Sequence, residues 1–186
     1  MSASKSFEEA QERHEHAEHG GPRWVPIAAA VLAVLAAISG YFGNLRSTQA
    51  LVEKNDAIVA TTHASDTWSQ YQAERVKYYV ATTALDQGVN GNGSAAKLKA
   101  TVAKEGAKAA PLMEKAHGFE DEAGRHNERS ERLLQQHETI EVAATLFEVA
   151  IVLVSITALV GSRLLPVSAG VAAVLGMAFF LFGLSR

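Results

Sequence analysis

The chain has 186 residues, a formal net charge of −3 and no cysteine. The slightly acidic balance argues against nucleic-acid binding, which usually requires a strongly basic face, and the lack of cysteine excludes disulfides, thiolate metal sites and cysteine nucleophiles. Apolar runs at 25–43, 140–161 and 164–184 surround one long polar insert. Each run approaches the roughly 20 residues that a helix needs to cross a bilayer. The sequence therefore predicts an all-α integral membrane protein with three transmembrane helices.

Residues 1–24 form a polar tail in which His14, His16 and His19 stand among five glutamates. Such a mixture of ligands could bind Zn²⁺ or Ni²⁺ loosely, although an ordinary solvated segment has the same composition. A cleaved signal peptide would begin with a basic region, and this tail is acidic instead. The sequence therefore predicts that transmembrane helix 1, at residues 25–43, is an uncleaved anchor.

The insert at residues 44–139 is expected to be an extramembrane antiparallel helical hairpin. Its first helix is predicted to continue out of transmembrane helix 1, because residues 44–87 contain no Pro or Gly. A cluster of Gly and Asn at 88–96 predicts the tip of the hairpin. A second helix at 97–139 leads to the next apolar run, and Pro111 is expected to kink or divide it.

Both hairpin helices carry a stripe of residues spaced alternately three and four apart, which is heptad spacing typical of helix packing. On the second helix the stripe is Leu98, Val102, Glu105, Ala109, Leu112, Ala116, Phe119, Ala123, His126, Ser130, Leu133, His137 and Ile140. On the first helix the matching residues are Ala57, Ala64, Trp68, Tyr71, Tyr78 and Leu85. The pattern predicts coiled-coil-like packing, either within the hairpin or between protomers.

Transmembrane helices 2 and 3, at 140–161 and 164–184, are predicted to form a tight hairpin. Lys and Arg near the membrane set orientation, and four on the side of the tail against six on the side of the insert favour a cytoplasmic insert. Small residues recur every four positions in two membrane helices, a pattern that allows close helix approach in a bundle or a homo-oligomer. They are Ala29, Ala33 and Ala37 in the first and Ser168, Ala172 and Gly176 in the third.

Glu148 lies well inside transmembrane helix 2, whereas Glu141 lies at its boundary, and an ionised acid in a bilayer is costly. Intramembrane acids often line ion or proton paths, which makes Glu148 a candidate functional residue. The alternative is a protonated side chain that hydrogen-bonds across a helix interface to Ser39, Ser155 or Thr157.

Motifs for enzymatic chemistry are missing from the sequence. Glu114 and His117 match the Glu-x-x-His element of di-iron bundles, but no second copy accompanies them. His126 and His137 lie on the helical stripe and could act as pH switches or as packing residues. The sequence thus predicts a non-enzyme without a cofactor.

Two stretches resemble a known bacterial family of membrane proteins, domain of unknown function 4337. The first comprises residues 51–57 and 64–73, and its second part contains a Ser-Asp-x-Trp-x-x-Tyr-Gln-Ala motif. The second comprises residues 144–159 in the second membrane helix. The resemblance implies a bacterial inner membrane and no known activity. Within the motif, Trp68 and Tyr71 are expected to pack, Gln72 to hydrogen-bond across an interface, and Asp66 is the residue whose role could exceed packing.

Three functional hypotheses follow. The first is a non-enzymatic membrane-anchored scaffold, homo-oligomeric and presenting its hairpin to an unknown protein partner. The second is a small transporter, channel or accessory subunit that uses Glu148. The third is a metal or pH sensor that acts through the histidines. The lipid bilayer is the expected environment in each case.

Overall fold

The chain was analysed in a computed structural model, which describes residues 24–88, 94–160 and 162–185. These residues form three helices and no strand: α1 (Trp24–Asp86), α2 (Ser94–Val160) and α3 (Leu164–Ser185). Each helix contains a stretch that is long and apolar enough to cross a membrane. The all-α class and the three apolar helices are thus confirmed, whereas residues 1–23 and the expected centre of the tip at 89–93 lie outside the described residues.

α1 and α2 each join an apolar run to a polar segment without a break. α1 has 63 residues and α2 has 67, and Pro111 lies inside α2. Of the two expectations for Pro111, division of the second helix is therefore wrong, whereas a kink stays a prediction. Pro111 is exposed, and a proline removes one backbone hydrogen bond, while the Ala, Lys, Leu and Glu residues around it favour helix.

The ends of the helices follow from local chemistry. Gly88 adopts φ 70°, a left-handed conformation that glycine tolerates without steric cost. Its amide donates to the carbonyl of Leu85 at 3.1 Å, and the amide of Gln87 donates to Thr83 at 3.0 Å. At α3, the amide of Leu164 donates to the Ser162 hydroxyl at 3.3 Å, which caps the new helix.

The chain divides into two compact units, Met1–Arg46 with Gln135–Arg186 (unit 1) and Ser47–Leu134 (unit 2). In unit 1 the three helices share an apolar core, where Phe147 and Ile140 are fully buried. α3 approaches closely through Gly176 and Gly183. The core cluster comprises Val25, Leu32, Ala143, Phe147, Ala150, Val154, Ala169 and Ala172.

In unit 2, segments of α1 and α2 contact each other along their length. The Lys54 ammonium donates to the Asn127 amide oxygen at 2.8 Å, and the Lys108 ammonium lies 3.3 Å from a Glu74 carboxylate oxygen. Residue numbers in such pairs rise along α1 as they fall along α2. Near the boundary of unit 2 at Ser47 and Leu134, the Ser130 hydroxyl donates to the carbonyl of Ala50 at 2.9 Å.

The predicted helical stripes coincide with the buried faces. Every residue of the α2 stripe, and every matching residue on α1, is buried or half-buried. The small-residue faces are borne out only in part, because Ala33, Ala37 and Ser168 are exposed while Ala172 and Gly176 are buried. Successive steps of four residues turn about 40° around a helix, so a strict four-residue repeat drifts off a contact face.

Candidate functional site

Trp68 and Tyr71, two residues of the sequence motif, belong to one aromatic cluster in unit 2. Their rings lie 5.5 Å apart edge to face, and the imidazole of His117 lies 5.1 Å from the Trp68 ring. The Trp68 indole N–H donates to Glu120 at 2.8 Å, and His117 Nδ1 lies 2.8 Å from the other Glu120 oxygen. Trp68, followed by His117, lowers the pKa of Glu120 because each hydrogen bond favours the carboxylate.

The two other motif residues singled out in the sequence, Asp66 and Gln72, are exposed and make no contact with this cluster in the described residues. Asp66 projects from the opposite side of α1 to Trp68, and Gln72, four residues after Trp68, lies at the edge of the packed face. The hydrogen bond between Trp68 and Glu120 could not be predicted, since Glu120 belongs to a charge-rich stretch whose pattern is typical of a solvent-exposed face. His117 pairs with Glu120, and Glu114 is exposed, so the di-iron pattern gains no support.

A second polar cluster lies on the buried faces of α1 and α2. Glu74 and Glu105 are both buried, and the Lys108 ammonium lies 3.3 Å from Glu74 and 2.7 Å from Glu105. Lys77 lies 3.3 Å from the second Glu74 oxygen. The pKa of Glu74 is lowered to about 2, mainly by a hydrogen bond with the Glu105 side chain and then by Lys77 and Lys108, against the opposing effect of burial.

This cluster predicts an acid-sensitive unit 2. Because the folded pKa of Glu74 lies below its ordinary value of 4.5, its carboxylate stabilises the fold above about pH 4.5, and that stabilisation is lost as the pH falls towards 2. Glu74→Gln is expected to reduce the loss of stability over this window. The measurement is the denaturation midpoint followed by Trp68 fluorescence in a Trp24→Phe background. Equal pH dependence in both chains would contradict the assignment.

A third cluster combines Glu53 and Asp56 of α1 with His126 of α2. His126 Nδ1 lies 2.6 Å from a Glu53 carboxylate oxygen. One ligand atom from each of the three residues lies within 4.8 Å of the others. Glu53 and His126 are half-buried, and Asp56 is exposed. The sequence placed His126 on the packed stripe of α2 but did not predict its two acidic neighbours.

His137 and Glu148, in unit 1, differ in their surroundings. His137 Nδ1 donates to the carbonyl of Gly43 at 3.0 Å, as a packing histidine does. Glu148 is exposed on the apolar part of α2. The alternative hydrogen bond from Glu148 is not made within the described residues, since Ser155 and Thr157 bond to carbonyls of their own helix.

An exposed apolar stripe runs along α1 in unit 2. Most of its residues stand seven residues, or a multiple of seven, from another member, Val76 precedes Tyr79 by three, and each is more than half exposed. This outer stripe consists of Leu51, Val52, Ile58, Val59, Val76, Tyr79 and Val80. Ser65, Asp66 and Gln72 occupy the same seven-residue register in its middle. The outer stripe is not apparent from the sequence, because the polar motif interrupts it.

Comparison with known proteins gives a single result. No curated protein and no solved structure matches the chain. A family described as a domain of unknown function matches residues 22–186, which include all three helices and the motif around Trp68. The chain therefore belongs to the family domain of unknown function (DUF4337).

Proposed function

We propose that this protein is a non-enzymatic, membrane-anchored helical scaffold whose copies associate through the outer stripe of α1. The single observation that carries the proposal is that stripe, which leaves large apolar side chains exposed on a segment rich in charge. Clusters of exposed large apolar side chains on a protein often belong to an interaction site, and here one cluster stands on each side of the polar motif. The assembled hairpins would then present their remaining exposed surface to an additional protein partner.

The membrane placement in this proposal rests on the composition of the two units. In unit 1, the described parts of the three helices expose aliphatic residues such as Ile27, Val31, Val171 and Val174, which suit contact with lipid tails. In unit 2, charged residues recur throughout the helices, and charge is costly inside a bilayer. The proposed topology has unit 1 crossing a bacterial inner membrane three times, with unit 2 as a hairpin in water on the cytoplasmic side.

The spacing of the outer stripe favours another helix as its occupant. Apolar residues that repeat every seven positions keep one face directed at a partner helix in a left-handed supercoil. Polar residues in the middle of such a stripe fix the register of a helix pair at some cost in stability. Asp66 and Gln72 are placed to do so, which gives the motif residues a role that the aromatic cluster does not provide.

The mass of the detergent-solubilised full chain tests self-association. With bound detergent subtracted, light scattering is expected to give a multiple of the 19.8 kDa protomer mass. A mass of one protomer over a hundredfold range of concentration would contradict the proposal.

The orientation has a separate test, because the chain contains no cysteine. Single cysteines at Ser4 and Asn92 are to be labelled in intact cells with an impermeant maleimide. Labelling at Ser4 alone supports a cytoplasmic hairpin. Labelling at Asn92 alone would place the hairpin on the outer side of the membrane.

A second candidate function, a transporter or channel subunit, is favoured by Glu148. Its exposed position on an apolar helix is aligned with Glu141, Thr145 and Ser155, which are also exposed. In an oligomer this polar face would meet a neighbouring copy instead of lipid. Ion flux into liposomes that falls in Glu148→Gln would support this function, and unchanged flux would remove its main support.

A further inference from the structure

We propose that Glu53, Asp56 and His126 form a binding site for a divalent transition-metal ion, with Zn²⁺ as the best fit. The site is separate from the outer stripe and does not depend on the scaffold function. It joins α1 to α2, since two ligands come from one helix and the third from the other.

The geometry of the three side chains supports a shared ion. Donor atoms bound to one tetrahedral zinc at about 2.0–2.2 Å lie roughly 3.3–3.6 Å apart. The three candidate donor atoms already lie within 4.8 Å of one another, and His126 Nδ1 and Glu53 Oε2 are 2.6 Å apart. A bound ion would therefore replace the hydrogen bond between His126 and Glu53, and these two atoms would move apart to the spacing of zinc ligands. Glu53 and Asp56 are three residues apart and so occupy adjacent positions on one face of α1.

The chemistry of the ligands distinguishes this cluster from an ordinary acidic patch. One imidazole nitrogen and two carboxylates match the mixed nitrogen and oxygen sets of open zinc sites, in which water completes the coordination. Calcium and magnesium prefer oxygen ligands alone. Water can reach the position, because Asp56 is exposed and Glu53 also lines a surface groove with Thr48, Gln49 and Leu133.

The placement of Glu53 and His126 within the packed faces adds a second argument. Both belong to the three-four spacing that includes Ala50 and Ala57 on α1 and Ala123 and Ser130 on α2. Most of these neighbours are small and apolar. Between them, the half-buried imidazole of His126 faces the half-buried carboxylate of Glu53. A bound ion would neutralise the carboxylates and fix the two helices to each other.

The test is calorimetric titration of the full chain in detergent micelles with ZnCl₂. The histidines of the tail are first changed to glutamine (H14Q, H16Q, H19Q), so that they cannot contribute. In this background we expect one Zn²⁺ per chain. Asp56→Asn and His126→Gln are each expected to weaken binding at least about tenfold. His63→Gln is the matched control, because His63 is exposed on α1 and packs on Phe119.

Thermal unfolding provides a second measurement. Zn²⁺ is expected to raise the unfolding midpoint of unit 2 in the background chain and to have less effect in Asp56→Asn, whose exposed side chain can be changed without disturbing the packed face. Absence of binding in the background chain would overturn the proposal. Binding that is unchanged in both Asp56→Asn and His126→Gln, or that is lost in His63→Gln, would overturn it as well.

Discussion

Changing Ile58 and Val59 together to glutamate is expected to dissociate the assembly into single protomers. Both side chains are more than half exposed in the isolated chain, and burial of an aliphatic side chain contributes about 1.5–3 kcal/mol. Because each side chain is already nearly half covered, the two contacts contribute about 1.5–3 kcal/mol per protomer. Two protomers that meet through the same face lose at least about 3 kcal/mol together, which corresponds to more than a hundredfold weaker association. Like charges facing each other across the interface would weaken it further. Light scattering of the detergent-solubilised chain measures the change.

Met113→Glu is the matched control for this experiment. Met113 is an exposed, large apolar residue on α2 in the same unit, but it lies outside the outer stripe. It is expected to leave the oligomer intact. Dissociation by Met113→Glu to the same extent, or an unaltered mass in the double variant, would show that the outer stripe is not the contact surface.

Gly183→Leu is expected to disrupt the packing of α3 in unit 1. A Cβ atom added at Gly183 would lie 2.7 Å from Ile140 Cγ1, closer than carbon atoms can pack, and Ile140 is fully buried. Overfilling a packed core usually costs about 1–3 kcal/mol, and a whole leucine side chain should reach or exceed the upper value. A lower thermal unfolding midpoint in detergent measures the effect.

Gly170→Leu provides the comparison within the same helix. A Cβ atom at Gly170 meets nothing within 4 Å, so the substitution should be neutral or slightly stabilising, because leucine has a better helix propensity than glycine. Equal destabilisation by the two substitutions would mean that Gly183 is not at a close helix contact.

The sequence predicted the helices and their buried faces well, because both follow from local periodicity. The three apolar runs and the three-four spacing from Leu98 to Ile140 can each be recognised within one continuous segment of the sequence. Every residue of that stripe is buried or half-buried. The division of the second helix at Pro111 was predicted wrongly, since a proline is a local signal that helix-forming neighbours on both sides can override.

The polar clusters could be predicted only in part, because each depends on pairing between distant residues. Glu105 and His126 were placed on the correct face, but the register that opposes them to Glu74 and Glu53 cannot be read from either helix alone. The outer stripe was missed for a different reason. Its aliphatic residues are separated by the polar residues within 65–72. The residues of α1 that pack against α2 were also sufficient to account for the helical spacing in the sequence.

Disulfide cross-linking in native membranes tests the central claim most directly, and the naturally cysteine-free chain suits it. Ser65→Cys and Gln72→Cys place single thiols within the outer stripe, and Lys104→Cys places one on an exposed position of α2. Protomers anchored with the same orientation should align in parallel, so oxidation is expected to give dimers with Ser65→Cys and Gln72→Cys and none with Lys104→Cys. No dimers from either stripe position, or equal dimers from all three, would contradict association through the outer stripe.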